Sequence, residues 1–285
     1  MAGNAEIVMQ AVRAADRDRY LSALYAPADK RDALLSLYAF NAEIAGIRDR
    51  IHEALPGEIR LQWWRDVIAA GSSATGHPLA DALVETIAKH ALPLAAFENY
   101  LDARIFDLYN DPMPSRTDLE GYCGETAGAI IQLSAMILDP QAAPQCAQLA
   151  GRAGCAQAIA GLLLLLPIHR ARGQCFVPRD ILSAAGSSPE EFIAGDGDQG
   201  ARSAVAAMIA LANEHLSAFE NEASKLPQPL RPAFLPLALT GAYLGLLNRA
   251  GFDPLRQVAE LSAWRRQSLL LRRAWRGWPA RSSLT

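Results

Sequence analysis

Residues 155–180 read CAQAIAGLLLLLPIHRARGQCFVPRD. Small apolar residues lead into five consecutive leucines, Leu162 to Leu166. Pro167, a basic knot of His169, Arg170 and Arg172, the turn residue Gly173, and an exit through Val177, Pro178, Arg179 and Asp180 follow. A run that is apolar on all sides predicts a helix buried on every side. Pro167 lacks a backbone donor, so the helix is expected to kink or end there. The basic side chains then fall just past the helix, where cations complement its C-terminal dipole.

Outward from this stretch the 3.6-residue period recurs and alternation with period two does not. Ala5 to Leu24 reads as one helix with Asp16 to Arg19 on its wet side, and Arg31 to Asp49 as a second with Leu34, Leu37, Tyr38, Phe40 and Ile44 on a broad apolar face. Further helices are expected over 58–70, 79–90, 93–109, 118–138, 202–225, 237–250 and 253–275, separated by Pro- and Gly-rich breaks. The fold class expected is all-α: a single-domain bundle of roughly ten helices over residues 1–285.

The formal charge of −3 over 285 residues argues against a general nucleic-acid binder. Cys123, Cys146, Cys155 and Cys175 form no C-x-x-C, so they read as small buried residues and not as a zinc or disulfide set. Glu6, Asp16 and Asp18 interrupt any signal-peptide core, and the apolar runs 156–168 and 233–247 are short for a membrane span. These features predict a cytoplasmic protein without signal peptide or transmembrane span.

Arg172-Gly173 and Phe176-Val177-Pro178-Arg179-Asp180 resemble the second active-site segment of the squalene/phytoene synthase family. Tyr38-Ala39-Phe40-Asn41 resembles the helix leading into that family's first aspartate motif, and Tyr122-Cys123 with Ala127-Gly128 its Tyr-Cys…Ala-Gly segment. The resemblance covers most of the chain. It implies an isoprenoid-synthase bundle with a central cavity, in which paired aspartates hold Mg²⁺ on a diphosphate.

The positions implied for those carboxylates are 45 and 49 in the first motif and 165 and 169 in the second. They hold Ala45, Asp49, Leu165 and His169, so three of four carboxylates are missing. Glu43 is no substitute on a continuous helix, because six residues place it about 120° from Asp49. Leucine has no donor atom, and histidine suits softer metals than Mg²⁺. His169, Arg170 and Arg172 read either as a helix C-cap with surface charge or as an anion-binding edge on an old cavity. Asp49 reads as an ion-pair partner of a nearby Arg, and Tyr122 and Asp180 match cavity positions implied by the resemblance. Asp180 equally suits a cap at Ile181, and Asp107 with Asp111 suits a surface role.

Residues 256–285 hold seven arginines and one glutamate among three tryptophans. Arg265, Arg266, Arg272, Arg273, Trp275 and Arg276 suit a basic helix on an anionic membrane or a partner, or a final helix with a solvated Arg face. Ala39 to Glu43, Glu58 to Trp64 and Pro167-Ile168-His169 resemble the branch of the family whose members assist assembly of respiratory complex I. That branch implies a non-catalytic assembly protein, peripheral on the inner membrane, needing no cofactor and partnered by a complex I subunit or assembly intermediate. The alternatives are a Mg²⁺-dependent prenyl transferase joining two isoprenoid diphosphates head to head, and a lipid or isoprenoid binding protein.

Overall fold

A computed structural model describes residues 2–51, 53–195 and 199–279. Most of the expected loop after Gly195, and Arg281, lie outside them. Among the described residues the secondary structure is entirely helical, with no strand. The chain forms two compact units. The first draws on residues 1–109, 129–147 and 227–236, the second on 110–128, 148–226 and 237–285.

The first unit is built around the helix Ala28–Ala45, which is buried on nearly every side. Phe40 makes edge contacts with Trp64 at 5.2 Å and Phe97 at 5.6 Å between ring centroids, and meets Tyr100 at 5.2 Å. Such pairs add to the apolar burial of the rings themselves. Ala2–Ala15, Pro78–His90 and Ala129–Leu138 pack against this helix. The expected single helix over 5–24 is broken at Asp16. Its carboxylate caps Arg17–Ala23 by accepting from Arg19 N at 2.9 Å, and it pairs with the Arg19 guanidinium at 2.6 Å. Arg19 therefore lies largely buried near Tyr38 and not on the wet side.

The second unit contains the long helix Gln199–Glu222, the helix Ala147–Leu164 and the closing helix Ala263–Arg276. The helix expected over 118–138 is Arg116–Cys123, then one π-helical turn at Gly124–Gly128, then Ala129–Leu138. The π turn sits where two backbones approach closely. A Cβ on Gly154 would lie 2.3 Å from Gly128 N and 2.5 Å from its Cα. Only glycine fits at Gly154, and that fixes how Ala147–Leu164 crosses the turn. The helix expected from Asp253 begins only at Ala263, under a Ser262 cap. Before it, Asp253 accepts from Leu255 N at 3.0 Å and holds a turn around Pro254.

One stretch, Gln228–Leu247, is long and apolar enough by composition to cross a membrane, and most of it is buried inside the protein. None of the four cysteines is in a disulfide and all are buried, and burial pushes the Cys175 thiol up to about 11.

Candidate functional site

The first-motif positions lie in the first unit. The helix carrying Asn41 and Glu43 stops at Ala45, where Gly46 N closes on Ala42 O at 3.0 Å. Asp49 sits in a separate 3₁₀ turn, Arg48–Arg50. The continuous helix expected to Asp49 is thus not formed, and positions 45 and 49 do not share a helical face. Both are exposed.

The polar groups around them are committed elsewhere. Buried Asn41 accepts from Tyr100 Oη at 2.9 Å. Arg104 donates to that same oxygen at 3.2 Å and to Asp107 at 2.9 Å. Asp107 is buried, which corrects the surface role expected for it. The Glu43 carboxylate receives Arg50 at 3.0 Å and Arg60 at 2.9 Å, and Arg60 lies 5.3 Å over Trp63. Trp63 in turn packs edge-on against fully buried Trp64.

Burial pushes the Glu43 carboxyl up, but the hydrogen bonds from Arg50 and Arg60 outweigh it and hold the group below its ordinary range. A depressed folded-state pKa stabilises above the unfolded value, and the contribution is lost as pH falls through the folded one. Glu43→Gln should therefore melt below wild type at neutral pH, with the gap closing as pH drops below about 4.3. Thermal melts across that range check it, and a gap independent of pH would contradict it.

The second-motif positions lie in the second unit. Pro167 ends Ala147–Leu164 as its chemistry requires, and a short helix, Leu166–Ala171, restarts with the proline in its first turn. The leucines are not buried on every side. Leu163 and Leu166 are buried, but Leu165 is 45% and Ile168 38% exposed. Leu165 continues the half-exposed side of the preceding helix, with Ala158, Gly161 and Leu162, and its N–H still bonds Gly161 O at 3.1 Å.

His169 packs at a tilt against Phe176 at 4.8 Å between ring centroids, and Phe176 lies 6.3 Å from half-buried Tyr122. These three rings are what the fold brings together. Arg170 points elsewhere: it donates to the carbonyls of Phe192 at 2.8 Å, Leu255 at 3.2 Å and Gly195, with its guanidinium over the Phe192 ring. It is a staple between loops, neither the helix cap nor the anion edge expected from the sequence. Arg172 caps the short helix and is exposed, and Gly173 follows with φ +72°. Asp180 accepts from Ile181 N at 2.7 Å and from Arg116 N at 3.1 Å, tying two helix starts together.

A further cluster joins a local i,i+4 pair to residues far away in the sequence. Glu120 accepts from Arg116 at 2.8 Å and contacts His215 at 3.0 Å, and Arg116 also reaches Glu214 at 2.8 Å. Burial pushes the Glu120 carboxyl up, but the Arg116 and His215 hydrogen bonds prevail and hold it low. Glu120 and His215 are 95 residues apart, too far for any spacing pattern to link them. An opening of about 390 Å³ in the second unit is lined by Val205, Ile209, Leu247, Phe252 and Leu255 with Arg202. None of the candidate site residues read from the sequence lines it. Among the described residues no group of three His, Cys, Asp or Glu side chains is placed to hold a metal ion.

The family profile described as squalene/phytoene synthase matches residues 12–265, which is most of the chain. This chain belongs to the squalene/phytoene synthase family. Similar curated proteins include the mouse and human complex I assembly factor 6. The mouse protein is 28% identical over 86% of this chain and 74% of its own length, the human protein 26% over 88% and 76%. A 15-cis-phytoene synthase from Synechococcus elongatus is 23% identical over 87% of this chain and 84% of its own.

The fold is shared with solved members of the squalene/phytoene synthase family. A squalene synthase from Alicyclobacillus acidocaldarius superposes with TM-score 0.75 at 22% identity, covering 88% of this chain and 95% of that one. A dehydrosqualene synthase superposes with TM-score 0.78 at 16% identity, covering 95% of both. The expected all-α isoprenoid-synthase fold is therefore the observed one.

Proposed function

We propose that this chain is a non-catalytic member of its family that assists assembly of respiratory complex I, the NADH:quinone oxidoreductase. The observation that carries this is the donor chemistry at the motif positions. Mg²⁺ is hard, keeps oxygen ligands and is bound through carboxylates. Ala45 and Leu165 carry no donor, and His169 offers a nitrogen packed against Phe176. The nearby carboxylate of Glu43 is held by two guanidinium groups. The donor set does not fit magnesium, and without a cation the leaving diphosphate keeps its charge. Similarity to the complex I assembly factors over most of both chains supports the assembly role.

The test is genetic. Deleting the gene in the source organism should lower complex I in blotted membranes, and the intact chain supplied in trans should restore it. The rival reading is an active prenyl transferase, favoured by the similarity to the phytoene synthase. Purified protein given farnesyl or geranylgeranyl diphosphate with Mg²⁺ separates the two: the proposal expects diphosphate release at background, and release well above background reverses it.

A further inference from the structure

The closing helix, Ala263–Arg276, lies almost wholly beyond the residues matched by the family, 12–265. Its two faces differ in chemistry. The inner face is anchored on its own unit: Leu270 is fully buried, Arg266 donates to Tyr243 Oη at 3.2 Å, and Arg273 reaches Glu220 at 3.9 Å. Just past the helix, Trp278 is buried edge-on against Phe219 at 5.3 Å.

The outer face carries large apolar side chains in the open. Trp264 is 88%, Trp275 79% and Leu271 58% exposed. With Ser268 they fall at i, i+4, i+7 and i+11, one stripe along a helix of 3.6 residues per turn. Exposed Arg265, Arg272 and Arg276 run beside it with the same spacing. The helix contains no Asp or Glu.

We infer that this face docks on an anionic phospholipid bilayer. The charge is complementary: three outward arginines on one helix, in a chain whose formal net charge is −3. The apolar residues are of the type that belongs there, since tryptophan rings settle at headgroup depth and an amphipathic helix lies in that plane with its apolar stripe immersed. A tryptophan four-fifths exposed at each end of one stripe is a poor surface for water and a fitting one for an interface. The surface separates the six residues named from the sequence. Arg265, Arg272, Trp275 and Arg276 belong to it together with Trp264, while Arg266 and Arg273 are inner anchors. It goes beyond the assembly role by naming the face that meets the bilayer, and vesicle binding reads it separately from complex I abundance.

Flotation of the purified full chain with phosphatidylcholine vesicles, with and without about a third phosphatidylglycerol, tests it. Binding is expected only with the anionic lipid, accompanied by a blue shift of tryptophan emission. Each arginine near an anionic surface is worth about fivefold, so R265E/R272E/R276E should weaken binding on the order of a hundredfold or more. W264A/W275A should weaken it about tenfold. A control with matched charge change on other exposed sites, R17E/R152E/K225E, should lose far less, and circular dichroism confirms that each variant folds. No binding to anionic vesicles, or equal loss in the control, overturns the inference. So does sedimentation showing that the stripe variants dissociate a dimer, which would assign the face to a second copy.

Discussion

Gly154→Ala should destabilise the protein, although alanine favours a helix over glycine by roughly 1 kcal/mol. The new Cβ would lie 2.3 Å from Gly128 N and 3.1 Å from Ala127 C, both backbone atoms that cannot rotate away. Separating the two backbones opens the packing on either side, and overpacking of this kind costs about 3 kcal/mol or more. The net loss of about 2 kcal/mol should lower the melting temperature by roughly 3–4 °C in a chain of this size. Gly154→Val, with a larger side chain, should give little folded protein. The reciprocal change is the control. A Cβ on Gly128 would meet Gly151 Cα at 3.5 Å, an ordinary contact, so Gly128→Ala should cost much less. Equal melting losses at the two glycines would show that helix crossing is not set by this contact.

Arg170→Ala should have the second large effect. The side chain satisfies carbonyls on Phe192, Gly195 and Leu255, segments far apart in sequence. Hydrogen bonds from a charged donor contribute about 1.5–3 kcal/mol each, with less for each further bond from one group. A loss of about 3–4 kcal/mol is expected in denaturant melts. Lysine keeps the charge but not the planar fork of donors, so Arg170→Lys should recover only a minor part. Full recovery by lysine would mean that charge near the helix end, and not the three-way staple, is what matters.

The contrast between these two residues explains what the sequence could reveal. Helical periodicity exposed the all-α fold, because each helix repeats its apolar face within a few turns. Pro167 marked a break, since its missing donor acts locally. Asp16 also acts locally, as a cap, but nothing nearby in the sequence signals that Arg19 is drawn against Tyr38. Gly154 and Arg170 act through partners 22 residues or more away, and no spacing rule reaches that far. The motif positions were legible as residue types, yet their geometry was not. Gly46 ends the helix before Asp49, so the face-sharing expected on an unbroken helix never arises. At Leu165 the run of five leucines hid the outward side of the helix, because identical apolar residues mark no face.

The closing helix shows the opposite case. Its arginine content was plain in the sequence, but the residues were equivalent there. Packing against Tyr243, Glu220 and Phe219 decides which arginines face inward, and so which residues remain to meet a surface. Its start at Ala263 depends on the Asp253 turn and the Ser262 cap, two polar features inside a stretch whose apolar period runs on regardless.

The most direct measurement of the central claim is the amount of complex I in membranes of a strain lacking this gene, read by blot and by NADH:quinone activity. A fall in both that the intact chain reverses is the predicted result. Complex I at full abundance and full activity without the gene would contradict it.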